Sequence, residues 1–150
     1  MVPWSLIDTA AIPGEPAELR LLRRGEEFSI MVGGIEFMNS RRSASEEALA
    51  SLACARIKNR ERARMLIGGL GMGFTLRAAL RALGPDARID VAELVASVVA
   101  WARGPMAALF GHSLLDRRVH VHEVDVVQII RSGARSMTPS CSMSIMVQAG

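Results

Sequence analysis

Gly68, Gly69, Gly71 and Gly73 follow the short apolar run Met65-Leu66-Ile67 and precede an apolar face formed by Leu76, Ala79, Leu80 and Leu83. That spacing predicts a strand, a tight turn and a helix. Glycine suits such a turn because the backbone must bend sharply and a Cβ would block a ligand lying against it. The helix that follows directs its first free N–H groups, and the positive end of its dipole, at the same spot. A ligand is expected at this turn.

The chemistry of that ligand is narrowed by what is missing. Gly69, Gly71 and Gly73 form G-x-G-x-G, whereas the dinucleotide fingerprint places its third glycine three residues after the second; those positions hold Phe74 and Leu76. Nicotinamide and flavin dinucleotides are therefore disfavoured, and with no Lys-Ser/Thr pair after the glycines a phosphate-gripping loop is excluded. Twenty residues after Gly73 stands Glu93, at the end of the apolar alternation from Ala87 to Ala92. A carboxylate there can accept hydrogen bonds from two ribose hydroxyls. Asp125 closes a third segment, Val119 to Val124, and is the third residue expected on the ligand side. Nucleoside recognition is the common denominator.

The elements that must position these groups are legible in outline. Residues 1 to 17, with Pro3, Pro13 and Pro16, read as an irregular lead. Leu19 to Leu22, a turn at Arg24-Gly25-Glu26, and Phe28 to Val32 joined by Gly33-Gly34 to Ile35 to Met38 predict a small antiparallel sheet with a tight hairpin. This hairpin is expected to be a cover over the substrate, the surface of a homodimer, or a packing element only. Ser43 and Glu46 form the pattern of a capping box ahead of a helix running to about Lys58. After the glycine turn come a strand ending at Glu93, a helix from Ala96 interrupted at Gly104-Pro105, a strand from Val119 to Val124, and a further helix from Val126. Strand, helix, strand, helix, strand predicts a parallel α/β unit. His120 and His122 share a strand face, but with no third spaced ligand beside them they are expected to be half-exposed strand residues, with no metal.

The chain of 150 residues is half apolar and 22% charged, enough for one domain with a core. The net charge of +3 is modest, and the basic residues, all arginine except Lys58, are scattered among acids. A solvated face is expected, not a nucleic-acid footprint. Cys54 and Cys141 make no disulfide framework, and no stretch of about 18 uninterrupted apolar residues appears. A soluble, cytoplasmic protein with no membrane partner is the expectation.

With turn, Glu93 and Asp125 placed, residues 18 to 130 resemble the spermidine synthase-like branch of the class I S-adenosylmethionine-dependent methyltransferase fold. The likeness is carried by Leu66-Ile67-Gly68-Gly69-Leu70-Gly71-Met72-Gly73, by Val91-Ala92-Glu93-Leu94, and by Asp116-Arg117-Arg118-Val119 running into Asp125. It implies a partial Rossmann-like parallel sheet over residues 43–133, an N-terminal irregular lead and hairpin over 1–42, and a cofactor site of Gly68, Gly69, Gly71, Gly73, Glu93, Leu94 and Asp125. In that family the glycine loop lies against the methionine-derived part of the nucleoside, the acid matching Glu93 holds the ribose and the acid matching Asp125 contacts adenine. S-adenosylmethionine or its decarboxylated form is the implied cosubstrate. The departures bear on the acceptor: Leu70-Gly71-Met72 replaces the stretch that carries an aspartate in spermidine synthases, Val124 replaces a glycine, and no tyrosine exists to match their diamine-holding residue.

The end of the chain departs most. The family places a fourth strand beside the first, ending in the acid that takes a proton from the attacking amine, but residues 136–150 read SMTPSCSMSIMVQAG, without strand alternation or carboxylate. Synonymous codons read two nucleotides later turn this stretch into Tyr-Asp-Ala-Ile-Met-Leu-Asp-Val-Asp-Asn-Gly-Pro, an apolar strand ending in aspartates. Residues 134–150 are therefore expected to be an out-of-frame tail, and the chain a truncated product whose first strand lacks a neighbour, with no catalytic residue of its own. Three functions follow: an aminopropyltransferase lineage, a methyltransferase using the same site, and a non-catalytic nucleoside-binding or interaction module.

Overall fold

The computed structural model describes residues 1–136 and 143–147. The chain forms two four-stranded sheets, one antiparallel and one parallel. The antiparallel sheet comprises β1 (Ser5–Ala11), β2 (Glu18–Arg24), β3 (Glu27–Val32) and β4 (Ile35–Asn39) in that spatial order. Two-residue connections, Gly25-Glu26 and Gly33-Gly34, link β2 to β3 and β3 to β4; Gly25 and Gly33 adopt the left-handed φ values of 59° and 58° that tight hairpins require.

Part of the lead expected to be irregular is strand β1. Its side chains are exposed except Ala10, so it lacks the alternation that marks a half-buried strand. It is held by its ladder to β2, with a bulge between Leu6 and Asp8, and by a long-range bond in which the Trp101 indole N–H donates to Asp8 Oδ2 at 2.8 Å.

Helix α1 (Ala44–Ala55) starts at Ser43 as expected, but its capping box does not form: the Ser43 side chain makes no cap hydrogen bond. The chain then enters β5 (Arg64–Gly68), α2 (Phe74–Ala82), β6 (Arg88–Ala92), α3 (Ala96–Arg103), the short α4 (Ala107–Phe110), β7 (Val119–His122) and α5 (Val126–Ser136). The break between α3 and α4 falls at Gly104-Pro105. β7 ends at His122, three residues before Asp125.

The parallel sheet has the order β7-β6-β5-β8, with β8 spanning Met143–Val147. This corrects the expectation that the first strand lacks a neighbour. β8 pairs with β5 in parallel from Arg64↔Met143 to Gly68↔Val147. The stretch MSIMV carries the β-branched Ile145 and Val147, which favour a strand. With β8 in place β5 is paired on both flanks. Residues 137–142 and 148–150 of the stretch expected to be out of frame lie outside the described residues.

The core sits against the parallel sheet. Met65, Ile67, Ile89 and Val91 are buried on its strands and pack with Leu76 and Ala79 of α2, Val98, Trp101 and Ala102 of α3, and Phe110 of α4. Leu21, Phe28 and Ile30 of the antiparallel sheet join the same cluster, so the two sheets share one core. Arg118, mostly buried, donates to the carbonyls of Leu80 and Leu83 at the end of α2, at 3.1 and 2.8 Å, satisfying acceptors that a helix C-terminus leaves open. Asp116 grips the same guanidinium at 2.9 Å, and that bond holds the Asp116 carboxyl at a pKa of about 2.

Candidate functional site

The strand order reverses direction at β5: the chain proceeds from β5 outward to β6 and β7, then returns to place β8 on the other side. In an open parallel sheet such a reversal opens a crevice beyond the carboxyl ends of the strands. The glycine turn leaves β5 into that crevice. Gly69, Gly71 and Gly73 have φ of 96°, 52° and 82°, all in the left-handed region that favours glycine. The turn is tied to the next strand by Gly69 N–H donating to Ala92 O at 2.7 Å, and to itself by Gly73 N–H donating to Leu70 O at 3.0 Å.

Glu93 stands one residue past β6 and is 8% exposed. Its side chain turns toward the glycine loop. Leu70 N–H donates to Oε1 and Val95 N–H to Oε2, each at 3.0 Å. Glu93 thus clamps the loop after β5 to the loop after β6. Each carboxylate oxygen has two acceptor sites, so one on each oxygen is left over after these bonds.

Gly69, Gly71 and Glu93 border a cavity of about 520 Å³. The opposite wall is built by the antiparallel sheet: Ile30 and Val32 from β3, and Ile35, Phe37 and Met38 from β4. Val95 and Val98, at the start of α3, complete the near side. The register explains how Phe37 takes part. Ile30 pairs with Met38 and Met31 with Glu36, so Phe37 is the extra residue of a bulge, a device that re-aims a side chain.

Glu36 also borders the cavity. It accepts from Ser29 Oγ and from Asn39 Nδ2, both at 2.7 Å, and these bonds hold its pKa below the usual carboxylate range.

Not every residue named from the sequence comes to this cavity. Gly73 is the N-cap of α2, and a Cβ there would stand 2.4 Å from the Phe110 ring, so its requirement for glycine is one of backbone and packing. Gly68 ends β5, paired with Ala92 and Val147. Leu94 is 42% exposed. Asp125 is exposed, and its Oδ1 accepts from Val127 N–H at 2.9 Å at the start of α5. None of these four lines the cavity. His122 is only partly exposed and meets Asp90 Oδ1 at 2.9 Å, while His120 is exposed. Burial would raise the Asp90 pKa, but bonds from Arg88 and His122 outweigh it and keep the carboxyl below its usual range. Among the described residues no three metal-ligating side chains gather.

Sequence reading offered the hairpin as a cover over the substrate but singled out none of the side chains of the apolar wall. Its one signal was the adjacent apolar pair Phe37-Met38, which breaks the alternation of β4 and marks the bulge. The bond between Asp8 and Trp101 left no signal, because it joins residues 93 positions apart.

A parallel sheet with a glycine turn after its first strand, an acid after its second, and an antiparallel sheet ahead of it defines the class I methyltransferase-type fold in the form seen in spermidine synthases. Solved structures bear this out. The spermidine synthase from Thermotoga maritima superposes with a TM-score of 0.70 at 16% identity, covering 94% of this chain and 46% of that one. A spermidine synthase in complex with the transition state analogue AdoDATO gives the same TM-score and identity and is covered over 47% of its length. A probable spermidine synthase from Corynebacterium glutamicum follows at a TM-score of 0.53 and 15% identity, with 48% covered. The chain therefore spans about half the length of the spermidine synthases it matches. No protein-family model matches the sequence, and no curated protein matches it.

Proposed function

We propose that this chain binds an S-adenosylmethionine-type nucleoside, ordinary or decarboxylated, at the glycine loop, and that the site serves transfer of a group from its sulfonium. The observation that carries the reading is the clamp of Glu93 on Leu70. It brings a buried carboxylate with spare acceptor capacity to a loop of left-handed glycines at the crevice of a parallel sheet. The backbone at Gly69 and Gly71 would lie against the methionine-derived part, Glu93 would accept from the ribose hydroxyls, and Leu94 and Asp125 would meet the adenine side. When bound, a sulfonium nucleoside supplies an activated carbon: the acceptor's lone pair forms a bond to it, the C–S bond breaks with its electrons going to sulfur, and the acceptor's proton passes to solvent or a base. The chain's own contribution is to bind and align, which supplies much of the rate for an already activated leaving group.

Aminopropyl transfer to an amine is the reaction of the resembling lineage. Methyl transfer is the second reading, favoured by one observation: β8 occupies the place beside β5, yet residues 134–150 contain no Asp or Glu to deprotonate an ammonium group so that the free amine can attack.

Calorimetry of the full chain with S-adenosylhomocysteine tests the reading, and binding is expected. Glu93→Gln keeps the size but sets an NH₂ group against the Leu70 or Val95 N–H; affinity should fall at least about ten-fold, the loss of one to two charge-assisted hydrogen bonds. No heat with the wild-type chain overturns the proposal. Turnover assays with S-adenosylmethionine and its decarboxylated form then separate methyl from aminopropyl transfer, and binding without turnover by either identifies a non-catalytic nucleoside-binding module.

A further inference from the structure

Two carboxylates border the cavity, Glu93 from the loop after β6 and Glu36 from β4. Neither is used up by the bonds it makes. Each oxygen of Glu93 accepts one backbone N–H, and each oxygen of Glu36 accepts one side-chain donor, Ser29 Oγ or Asn39 Nδ2, so every oxygen keeps an acceptor position. The bonds from Ser29 and Asn39 are the main cause of the lowered Glu36 pKa, so this side chain is ionised at neutral pH; Arg41 and Arg42 contribute less. No lysine or arginine lines the cavity, and the rest of its lining is glycine backbone and apolar side chains. A positive charge entering it meets no competing cation.

The nucleoside of the proposed function changes charge during its reaction. A sulfonium is a cation without an N–H, so carboxylates attract it through charge alone. When the transferred carbon leaves, the electron pair of the C–S bond returns to sulfur and the nucleoside becomes a neutral thioether at that atom. Cosubstrate and product therefore differ by one unit of charge at a single atom.

We infer that Glu36 reads that difference: its charge makes the cavity hold the sulfonium form more tightly than the thioether product, and so favours replacement of product by cosubstrate after each turnover. The inference rests on the nucleoside reading. Glu93 bonds the ribose in that reading, a group both forms share, which leaves Glu36 as the residue that tells them apart.

Calorimetry of the full chain with three nucleosides sharing an amino-acid tail tests this: S-adenosylmethionine; S-adenosylhomocysteine, its neutral counterpart; and sinefungin, in which an amine-bearing carbon replaces the sulfonium. Both cations should bind at least about five-fold more tightly than S-adenosylhomocysteine at low salt, the attraction of one close charge pair in water-like surroundings, and the margin should shrink as salt is added. Glu36→Gln can keep the bonds at this position, because its carbonyl oxygen can accept from Asn39 and its amide can donate to the Ser29 hydroxyl; the wild-type melting transition should be retained. In this variant the margin should fall about three- to five-fold for both cations while affinity for S-adenosylhomocysteine stays unchanged. Glu26→Gln removes the same charge from an exposed turn outside the cavity and should leave the margin as it is. Binding of S-adenosylhomocysteine as tight as that of either cation overturns the inference and leaves the nucleoside reading standing. So does a margin that Glu36→Gln leaves unchanged or that Glu26→Gln narrows equally. No binding of any of the three overturns the nucleoside reading, and this inference with it.

Discussion

The two sheets of this protein bury their strands differently, and the difference divides the work of the site. In the parallel sheet β5 and β6 are buried on both faces, with Met65, Leu66, Ile67, Ile89 and Val91 at most 1% exposed. The groups with which they border the cavity lie past the strand ends, at Gly69, Gly71 and Glu93. In the antiparallel sheet only one face joins the core, and Ile35 and Phe37 stay open. That sheet contributes shape and apolar surface. At the cavity the first region thus supplies backbone N–H groups and a carboxylate, and the second supplies mostly apolar side chains.

The most damaging way to break this arrangement is at the turn. Gly73→Ala places a Cβ at a φ of 82° and against Phe110, so stability should fall by about 3–5 kcal/mol, a large share of the roughly 5–15 kcal/mol of an ordinary domain. Urea titration by circular dichroism measures this. A variant within about 1 kcal/mol of the wild type would show that the turn is not fixed as described.

A smaller effect is expected from the tie between the halves. Asp8→Ala removes the acceptor of the Trp101 indole N–H from an exposed position, leaving the packed indole in place, and the melting temperature should drop by about 2–4 °C. Hydrogen exchange should quicken at β1 while β5 and β6 keep their protection. Equal loss of protection in both sheets would mean that they open together and the division is false.

The smallest effect concerns acid. The folded-state pKa of Asp116 lies at about 2, below the ordinary value of 3.8, so its ion pair with Arg118 stabilises the fold above pH 3.8 and is lost as the pH falls toward 2. Asp116→Asn should make the acid limb of the stability profile shallower across that window. An unchanged limb would remove this pair from the account of how α2 is anchored.

How much was legible in the sequence follows the same division. The glycine turn, the acid at Glu93 and the strands β5 and β6 announce themselves because burial on both faces demands unbroken apolar runs and the turn demands glycine. β1 was hidden because its stability comes from ladder bonds and one distant indole, not from its own pattern. β8 was hidden because MSIMV follows neither template, and its place is set by pairing with β5. The cavity wall was hidden by the bulge at Phe37, since a one-residue irregularity decides which side chains turn inward and alternation alone assigns them wrongly.

The placement of β8 has a consequence for assembly. β5 acquires its neighbour β6 from the next stretch of chain, but its partner on the other flank, β8, lies roughly 80 residues further along. On the ribosome, the antiparallel sheet and most of the parallel one can form while β5 still shows a bare edge. A chaperone or an early encounter with another nascent chain would find that edge, and the timing of the emergence of β8 decides which of them reaches it first.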